Sequence, residues 1–349
     1  MLQVISNDDP IKWNKIVKSF KDHDVYYLAE YSKAFQIHGD GDPILFYFDN
    51  GKIRAINVVM KRDIALDTNF KDKIPKDTYF DIITPYGYGG WIIENEPNKD
   101  NIEELSDCFI SYCLENNIVS EFVRFHLFSK FLPFYYGETA SITNNIVRSL
   151  ELSLDEILMD FEHKVRKNLK KGQRNELKII VDHNAKHLDE FLNIYYTTMD
   201  RNNAKDSFFF KKEFFDNLNS MEENTVYFHV LHEEKIISTE LVLYGDENSY
   251  SFLGGTLKDY FPLRPNEFLK FEIIKWAKEK QLKKFVLGGG YGTDDGIFRY
   301  KKSFAPNGVR EFYIGKKIFN NKAYREFTEI RKSESNFDPN SGFFPIYRQ

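Results

Sequence analysis

One order of predicted elements occurs twice along the chain of 349 residues, and this repetition limits the folds that the chain can adopt. In the second half, a predicted meander of three strands between Tyr227 and Leu253 precedes a helix and a returning strand. The first half repeats this order between Leu45 and Leu127, where Asp49-Asn50-Gly51-Lys52 is a strong hairpin turn. The pattern predicts an α+β chain of two related domains, each with a mostly antiparallel sheet and flanking helices.

Local signals set the predicted limits of these elements. Gly254 and Gly255 follow the third strand of the second meander and are expected to end it. Asn266 is expected to cap the following helix. A new helical segment begins at about residue 150, so we assign residues 1–149 to the first domain and residues 150–349 to the second.

Composition excludes several classes of protein. With 42% hydrophobic residues the chain is globular, and with a net charge of −5 it can bind DNA or another polyanion only through a local patch, so we expect no DNA partner. No apolar stretch approaches the roughly 20 residues of a membrane span, and the first residues do not resemble a signal peptide, so we expect a cytoplasmic protein. Cys108 and Cys113 fit two buried thiols in a reducing compartment, and no metal site is predicted.

Residues 163–174 form a strongly basic segment, in which six of twelve residues are basic and none is acidic. An apolar stripe at helical spacing runs into this segment, which predicts one helix from about residue 154 that ends or loosens at Gly172. The basic stripe fits either a solvated helix face or a face that binds the phosphates of a nucleotide-linked substrate or of RNA. The absence of acidic residues favours phosphate contact, with Lys164 and Lys167 as candidates.

A glycine-rich turn follows the predicted strand Phe285–Leu287. Residues 288–290 are all glycine, and the segment TDDGIFRYKKSF comes shortly after them. Glycines let a backbone approach a ligand or a neighbouring chain closely, so Gly289 and Gly290 are candidate binding residues. The aromatic and basic segment that follows is interpreted as a strand, in which Lys301 faces a polar substrate and Lys302 faces solvent.

Four segments of the second half resemble the Fem family of non-ribosomal peptidyl transferases. They are the basic helix HKVRKNLKKGQRNELKI, the segment YYTTMDR that ends at Arg201, the stretch Phe252–Ala277, and LGGG…TDDGIFRYKKSF followed by REFYIG. In the first half the resemblance is limited to the order of elements and to YLAEYSKAF, which contains Lys33. Fem proteins consist of two acetyltransferase-like (GNAT) domains, and the resemblance implies two tandem GNAT-like domains here, without the coiled-coil arm that some members carry.

The resemblance also implies a reaction. Fem enzymes transfer an aminoacyl group from aminoacyl-tRNA to a muramyl-peptide precursor of peptidoglycan, which is linked to a uridine nucleotide or to a lipid. The implied reaction needs no metal or redox cofactor, and the acidic net charge suggests that only the acceptor end of the tRNA is bound. The lysine of the family's aromatic-x-aromatic-Lys element falls on Lys301, and Asp294 and Asp295 match the paired acids before it. The acidic residue of the first domain has no clear match, although Asp81 and Glu94 are near candidates.

The chemistry of an amine attacking an acyl ester gives these residues roles. Lys301 would face the developing oxyanion or the departing ribose oxygen, and Asp295 would either orient an amine or Lys301 or cap the turn at Gly296. We favour capping for at least one of the two aspartates. The other candidate substrate-binding residues are Lys33, Tyr86, Tyr88, Arg201 and Arg299. Tyr86 and Tyr88 could instead pack in the core, and Arg201 could instead form a structural salt bridge.

Two other functions fit the sequence. The first is an acyl-CoA-dependent N-acyltransferase that acts on a cell-surface sugar or another amine. The corresponding loop, Leu263-Arg264-Pro265-Asn266, lacks the glycines that cradle the pyrophosphate of CoA, and Pro265 removes an amide. The second is a non-catalytic protein that binds an envelope precursor. Peripheral contact with the inner face of the membrane stays open in all three readings.

Overall fold

The computed structural model describes residues 1–95, 98–290, 292, 294–335 and 337–349, so Tyr291 and Thr293 of the glycine-rich segment lie outside the described residues. The chain forms two compact units. Unit 1 comprises Met1–Ile142 and Phe312–Gln349, and unit 2 comprises Thr143–Glu311.

Helices and strands are numbered in chain order. The first half contains β1 Leu2–Ser6, α1 Pro10–Val17, α2 Ala29–His38, β2 Asp42–Asp49, β3 Arg54–Asp63, β4 Phe80–Ile83, β5 Ile92–Glu94, α3 Lys99–Glu115, β6 Ile118–Arg124 and β7 Glu138–Ser149. The second half contains α4 Leu154–Asp160, α5 His163–Arg174, β8 Lys178–Asp182, α6 Leu188–Arg201, α7 Lys212–Asn219, β9 Thr225–His232, β10 Lys235–Tyr244, β11 Asn248–Thr256, α8 Pro265–Glu279, β12 Lys284–Gly288, α9 Gly296–Lys302, β13 Val309–Ile318 and α10 Asn321–Lys332.

The sheet of unit 1 has the strand order β1-β2-β3-β4-β6-β13, and β5 pairs with β3. Neighbouring strands are antiparallel except β4 and β6, which are parallel. The predicted hairpin between β2 and β3 is confirmed, since Asp49 pairs with Arg54 and Gly51 adopts a φ of 78°. Helix α3 packs Leu105 and Phe109 into the core of this unit.

Both cysteines are free thiols on α3. Cys113 is buried as expected, whereas Cys108 is half-buried. Burial raises the pKa of the Cys113 thiol, so this group behaves as a small apolar side chain at neutral pH.

The sheet of unit 2 has the strand order β7-β12-β11-β10-β9-β8. Strands β11 and β12 are parallel and the other pairs are antiparallel. Helix α8 contributes Phe268, Ile273 and Trp276 to the core, which explains its continuous apolar face. The predicted meander and returning strand are therefore confirmed, and the chain has the predicted α+β architecture.

Two glycines have a role different from the predicted one. Gly254 and Gly255 lie inside β11 and do not end it. A Cβ atom on Gly255 would lie 2.8 Å from the carbonyl oxygen of Ile194, because α6 packs directly on this part of the strand. The glycines therefore mark a close approach of helix and sheet.

Unit 1 and unit 2 differ in their bounds from the predicted domains 1–149 and 150–349. Residues 312–349 belong to unit 1, because Ile314 to Ile318 of β13 pair with β6 and because Phe327 of α10 packs in a cluster with Val119. Nothing local in the sequence of this segment indicates a strand partner almost 200 positions away. The domain boundaries themselves stay a prediction.

The prediction of a single helix from residue 154 onward is wrong, since this segment forms two helices, α4 and α5. Ser153 and Glu156 form a capping box at the start of α4, and Phe161 and Glu162 adopt extended backbone between the helices. Gly172 does not end α5. It is buried, and a Cβ atom there would lie 3.2 Å from Cβ of Phe268, so the glycine allows α5 to pack closely on α8.

Candidate active site

The parallel strands β11 and β12 of unit 2 separate from each other after a short paired stretch. Their last recorded pair within the described residues is Tyr250 with Val286, although β11 continues to Thr256 and β12 to Gly288. Residues 251–255 and 288–290 are half-buried rather than buried. We call the space between these two segments the strand opening. Backbone groups along it are available to a bound molecule on the side where the strands no longer pair.

In unit 1 the corresponding parallel strands do not separate. After β4 ends, the amide of Thr84 bonds to the carbonyl of Phe122 at 3.1 Å, and the amide of Gly89 bonds to the carbonyl of Arg124 at 2.7 Å. The amide of His126 then bonds back to the carbonyl of Gly89 at 2.9 Å. Residues 84–89 thus fill the place that is open in unit 2.

Lys301 lies on helix α9, so the prediction of a strand around this residue is wrong. The Asp295 carboxylate caps the helix by accepting a hydrogen bond from the amide of Phe298 at 2.8 Å, and it also accepts one from the amide of Gly292 at 3.0 Å. The expected capping role of an aspartate is thereby confirmed. Because α9 is a helix, strand alternation does not separate the two lysines, and Lys301 and Lys302 are both half-buried.

The ammonium group of Lys301 is fixed at the end of β12. Its Nζ atom donates a hydrogen bond of 2.7 Å to the carbonyl oxygen of Gly289. The pKa of Lys301 is lowered to about 8, first by burial and then by nearby Lys270, while the carboxylates of Glu240 and Asp295 oppose the shift. Lys301 can therefore exchange a proton near neutral pH.

Each glycine of the turn makes a close approach within unit 2. Gly288 has a φ of 80°, and a Cβ atom there would lie 3.2 Å from Nζ of Lys301. A Cβ atom on Gly289 would lie 2.8 Å from the carbonyl oxygen of Asn144, and one on Gly290 would lie 2.7 Å from Cγ of Asp295. The glycines are thus needed to seat Lys301 and Asp295, which is a structural reason for the GGG sequence.

A buried ion pair near Lys301 escaped sequence reasoning. Nζ of Lys270 on α8 lies 2.5 and 2.6 Å from the carboxylate oxygens of Glu240 on β10, and 2.7 Å from Oγ of Ser251 on β11. The sequence does show one charged residue at a core-facing position of each of two apolar elements, Glu240 on β10 and Lys270 on α8. Such a signal identifies neither the partner nor the site.

A cavity of about 500 Å³ lies beside this region in unit 2. It is enclosed by the first turn of α5, the segment that leads into α8, and one face of α9. Three cationic and two anionic side chains line it: Lys164, Arg264, Arg299, Glu162 and Glu267. A cavity of this size and mixed charge suits a ligand with both anionic and hydrogen-bonding groups.

Two polar atoms beside the cavity lack a hydrogen-bond partner among the described residues. They are the hydroxyl oxygen of Tyr300, next to Lys301 on α9, and Nε of Arg264. Both residues line the cavity. Buried polar atoms are rarely left unpaired, so a bound ligand or water is expected to satisfy them.

The start of α8 differs from the prediction that Asn266 caps it. Arg264 occupies the cap position with a φ of 63°, without a capping side chain, and Pro265 is the first helical residue. Asn266 lies one residue further into the helix, where its side-chain oxygen accepts a hydrogen bond from the hydroxyl of Thr256. Proline is favoured at the first helical position, which explains the shift of the helix start.

The other predicted residues of unit 2 are placed unequally. Lys164 and Arg299 line the cavity, whereas Lys167 is exposed on α5 and is not part of the lining. Arg299 also forms an ion pair with Asp294 at 3.7 Å. Arg201 donates to the carbonyl of Thr256 at 2.9 Å and lies over the ring of Phe261, so its observed contacts are structural.

The predicted residues of unit 1 are Lys33, Tyr86 and Tyr88. Lys33 is exposed and donates to the side chain of Gln36 at 2.7 Å. Tyr86 is 40% exposed, and its carbonyl accepts a hydrogen bond from the Tyr31 hydroxyl at 2.6 Å. Tyr88 is buried against aromatic rings, so it packs in the core, which was the alternative to a role in binding. Burial also raises the pKa of its hydroxyl group.

Neither near candidate for the acidic residue of the first domain is a free carboxylate. Asp81 is buried between Arg62 and Arg348; although burial raises its pKa, the two arginines lower it below the usual value. Glu94 pairs with Arg54 at 2.9 Å.

A third carboxyl group of unit 1, that of Glu121, was not predicted from the sequence. It is buried, which raises its pKa to about 7 even though the hydroxyl groups of two tyrosines donate to it.

Comparison with known proteins defines the class first. The sequence profile of the acetyltransferase (GNAT) domain matches residues 160–302, which lie within unit 2 and include the strand opening, Lys301 and all residues that line the cavity except Ser303. No curated protein matches the sequence. None of the helices in the described part of the chain is both long enough and apolar enough to cross a membrane.

Solved structures then extend the likeness to almost the whole chain. FemX has a TM-score of 0.66 at 13% identity, over 93% of this chain and 99% of its own. A conserved protein of unknown function from Bacteroides thetaiotaomicron has a TM-score of 0.59 at 8% identity, over 90% and 98%. A C-terminal domain (DUF2156) described as that of a lysylphosphatidylglycerol synthetase from Agrobacterium fabrum has a TM-score of 0.56 at 12% identity, over 94% and 97%. The likeness to the Fem type and the fold of two tandem GNAT-like domains are thus confirmed at the level of fold, and the chain has an acyltransferase fold.

Proposed function

We propose that this protein is an acyltransferase of the Fem type. It transfers an aminoacyl group from aminoacyl-tRNA to an amine of a muramyl-peptide precursor linked to a nucleotide or a lipid. One observation carries the proposal. A half-buried lysine with a pKa lowered to about 8 is fixed at the strand opening, beside a cavity that holds three cationic side chains.

The proposed reaction forms one bond and breaks one. The acceptor amine attacks the ester carbonyl, the carbon–nitrogen bond forms, and the carbon–oxygen bond to the ribose breaks. Lys301 uses one N–H group to bond to Gly289, and its two others, which have no acceptor among the described residues, can stabilise the oxyanion. As an ammonium with a pKa near 8 it can give a proton to the ribose oxygen, and the attacking amine releases one.

The cavity supplies the anchor that the donor needs. Guanidinium groups bind phosphate in a bidentate manner, and Arg264 and Arg299 both line the cavity. Lys164 adds a third cation and belongs to the basic face of α5, which is exposed along its length. Phosphate and ribose groups of the tRNA acceptor end would satisfy these cations, and remote binding of this kind aligns the ester with Lys301.

An acyl-CoA-dependent N-acyltransferase is the second candidate. The match of residues 160–302 to the GNAT profile favours it, as does the position of the cavity at the start of α8, where GNAT enzymes hold the pyrophosphate of CoA. The local sequence opposes it, because Pro265 has no amide hydrogen to offer a phosphate and the loop lacks glycines.

The test compares ligands by thermal shift and then measures transfer. The purified chain is heated with UDP-muramyl-pentapeptide, with acetyl-CoA, and with vesicles that contain phosphatidylglycerol, because one structural neighbour is named for the lysyl ester of that lipid. A ligand at about 100 times its Kd adds roughly 2.7 kcal/mol of stability. Stabilisation by the muramyl nucleotide, followed by transfer of labelled amino acid from tRNA to it, supports the proposal.

Other outcomes separate the alternatives. Stabilisation by acetyl-CoA alone, with acetyl transfer to an amine, replaces the proposal with an ordinary acyltransferase. Labelled lipid in the vesicle sample moves the acceptor from peptidoglycan to a phospholipid. Binding of the muramyl nucleotide without any transfer, over a range of aminoacyl-tRNAs, identifies a non-catalytic binding protein.

A further inference from the structure

Glu267 provides a buried carboxylate in the first turn of α8. It is 9% exposed and lines the cavity of unit 2. Its Oε1 atom accepts a hydrogen bond of 2.8 Å from Nδ2 of Asn168 on α5, which is also buried. An acidic residue near the start of a helix is favoured by the helix dipole, but it need not be buried for this. No hydrogen bond from an amide of α8 to Glu267 is recorded within the described residues, so helix capping does not explain its burial.

The second carboxylate oxygen of Glu267 reaches the cavity. No hydrogen bond to Oε2 is recorded in the part of the chain that the structure describes, and this atom is not one of the buried polar atoms that lack a partner. An oxygen that is neither bonded nor sealed from solvent must contact accessible space, and Glu267 lines the cavity. Asn168 thus holds one oxygen of the carboxylate and leaves the other for a ligand.

Cationic groups share the cavity with Glu267 but do not neutralise it. Arg264 and Lys164 both line the cavity, yet neither forms an ion pair with Glu267 or with any other residue that the structure describes. Nε of Arg264 and the hydroxyl group of Tyr300 are buried without a hydrogen-bond partner. Opposite charges that line one cavity without pairing are suited to bind separate parts of one ligand.

The chemistry of these groups specifies a ligand with two different ends. Arginine and lysine bind a phosphate, whereas an ionised carboxylate only accepts hydrogen bonds and so needs a donor. The hydroxyl group of Tyr300 can donate or accept, which suits a second hydroxyl group beside the first. A ribonucleotide has both ends, because its phosphate is an anion and its ribose carries two neighbouring hydroxyl groups. Acidic side chains bind ribose hydroxyl groups in this way in dinucleotide-binding folds.

We propose that Glu267 is a specificity-determining residue, which selects a ribonucleotide over the corresponding deoxyribonucleotide in this cavity. Its Oε2 atom accepts a hydrogen bond from one ribose hydroxyl group, Tyr300 bonds to the other, and Arg264 and Lys164 bind the phosphate. The selection of ribose follows from the cavity itself, whereas the assignment of the ribonucleotide to the acceptor end of tRNA rests on the proposed function.

Selection arises from the cost of leaving a carboxylate without a partner. A deoxyribonucleotide would enter the same cavity and displace water from it, but it offers one hydroxyl group fewer to Glu267 and Tyr300. A site built to bond a hydroxyl group strongly rejects an analogue that lacks this group. The loss of one hydrogen bond to a charged group should weaken binding about 10- to 100-fold.

The experiment compares paired nucleotides by isothermal titration calorimetry of the purified chain. AMP with 2′-deoxyAMP and CMP with 2′-deoxyCMP represent the nucleotides of a tRNA acceptor end. UMP with 2′-deoxyUMP represents the uridine nucleotide of the proposed acceptor. The readout is the ratio of the two Kd values within a pair, because the phosphate and the base contribute equally to both. The expected ratio for the wild-type protein is about 10 or more.

Variants assign the selection to one side chain. Glu267→Gln keeps the shape of the side chain and removes its charge, so the ratio should fall to about threefold or less. Glu267→Asp withdraws the carboxylate from the cavity and should also lower the ratio, so it serves if Glu267→Gln does not fold. Glu162→Gln is the matched control, since Glu162 is an exposed carboxylate that lines the same cavity. It should change both Kd values of a pair alike and leave their ratio unchanged.

The outcomes separate the inference from the proposed function. A ratio near one in the wild-type protein, or a ratio that neither Glu267 variant lowers, overturns the role of Glu267. Ribose selection for AMP or CMP assigns the cavity to the acceptor end of RNA, whereas selection confined to UMP assigns it to the nucleotide of the precursor and keeps the role of Glu267. Ribose selection in a chain that transfers no aminoacyl group overturns the proposed function alone. Transfer by a chain with a ratio near one overturns the role of Glu267 alone.

Discussion

At the scale of single residues, the behaviour of Lys301 follows from its surroundings. Its side chain combines a hydrogen bond to one glycine carbonyl with burial that lowers the pKa of its ammonium group. The neighbouring Lys302 is also half-buried, but no hydrogen bond to the glycine turn is recorded for it among the described residues. The two lysines therefore offer a matched comparison within one helix.

Lys301→Ala is expected to lower kcat/KM for acyl transfer by about 10²–10³, the loss seen when one preorganised donor to an oxyanion is removed. The free energy of unfolding at pH 7 should stay similar or rise, because an ammonium group whose pKa is lowered in the folded state costs stability while it is protonated. Steady-state kinetics and urea unfolding check both parts. Lys302→Ala is the control, and an unchanged kcat/KM in the Lys301 variant would remove this residue from the site.

Gly288→Ala should impair the site through backbone conformation and space together. A residue other than glycine is strained at a φ of 80°, and the added Cβ atom would lie 3.2 Å from Nζ of Lys301. Gly342→Ala is a control for strain alone, since Gly342 has a φ of 72° and no atom within 4 Å of the added Cβ. Both variants are expected to lose about 1 kcal/mol or more in urea unfolding. Only Gly288→Ala should lower kcat/KM, and equal activity of the two variants would contradict this.

At the scale of elements, α9 shows how a short helix can be mistaken for a strand. The sequence FRYKK suggests a strand because large aromatic residues alternate with basic ones. Asp295 decides the outcome, since its carboxylate accepts a hydrogen bond from the amide of Phe298 in the first turn of this helix of seven residues. A capping residue outweighs side-chain preference here.

Asp295→Ala should therefore cost about 1 kcal/mol of stability through loss of the cap. It should also lower activity, because α9 carries Lys301 and Tyr300. Ser153→Ala is the matched control, since Ser153 caps α4, which does not line the cavity. Urea unfolding and transfer kinetics of the two variants provide the comparison. A similar loss of stability with full activity in Asp295→Ala would show that α9 holds its position without the cap.

Helix α5 offers a test of how its basic residues divide between cavity and solvent. Lys164→Ala is expected to weaken donor binding about tenfold and to reduce its salt dependence, because Lys164 lines the cavity. Lys167→Ala should have a smaller effect, since Lys167 is exposed away from the lining. Titration of the tRNA acceptor-end fragment at several salt concentrations measures both. Equal losses in the two variants would assign phosphate contact to the whole basic face.

The alternation of apolar and polar residues, together with the residues favoured in turns, was enough to predict most strands. The meander β9 to β11 and the hairpin at Asp49 to Lys52 follow from alternation and local turn preference. Contacts between distant positions could not be read in the same way. Glu240 and Lys270 are 30 residues apart, and the pairing of β13 with β6 joins positions almost 200 residues apart. A single sequence contains no record of such pairs, so the site beyond Lys301, Asp295, Lys164, Arg299 and the glycines could not be predicted.

At the scale of the whole molecule, a carboxyl group of unit 1 links stability to pH. The folded chain raises the pKa of Glu121 from 4.5 to about 7, mainly through burial. A group with a raised pKa in the folded state contributes stability that is complete below its unfolded pKa and is lost as pH rises through the folded pKa. The contribution of Glu121 should therefore decline between about pH 4.5 and pH 7.

Glu121→Gln is expected to remove this part of the pH dependence, because an amide does not titrate. Urea unfolding at intervals from pH 4.5 to pH 8 gives the free energy of unfolding of the variant and of the wild-type protein. The difference between these two free energies should change by a few kcal/mol over that range. Glu115→Gln, which changes an exposed carboxyl group at the end of α3, is the control for the loss of one carboxyl group. A flat difference for Glu121→Gln would show that this carboxyl group titrates normally.

The two units share a plan but differ in one row of hydrogen bonds. In unit 1 the bonds of Thr84 and Gly89 continue the ladder that in unit 2 stops at Tyr250. A non-hydrolysable analogue of the acyl donor should therefore saturate the protein at one molecule per chain, although the fold occurs twice. If the proposed function is correct, unit 1 does not hold the reactive ester, and we expect its sequence to tolerate changes around residues 84–89 that unit 2 would not tolerate at the strand opening.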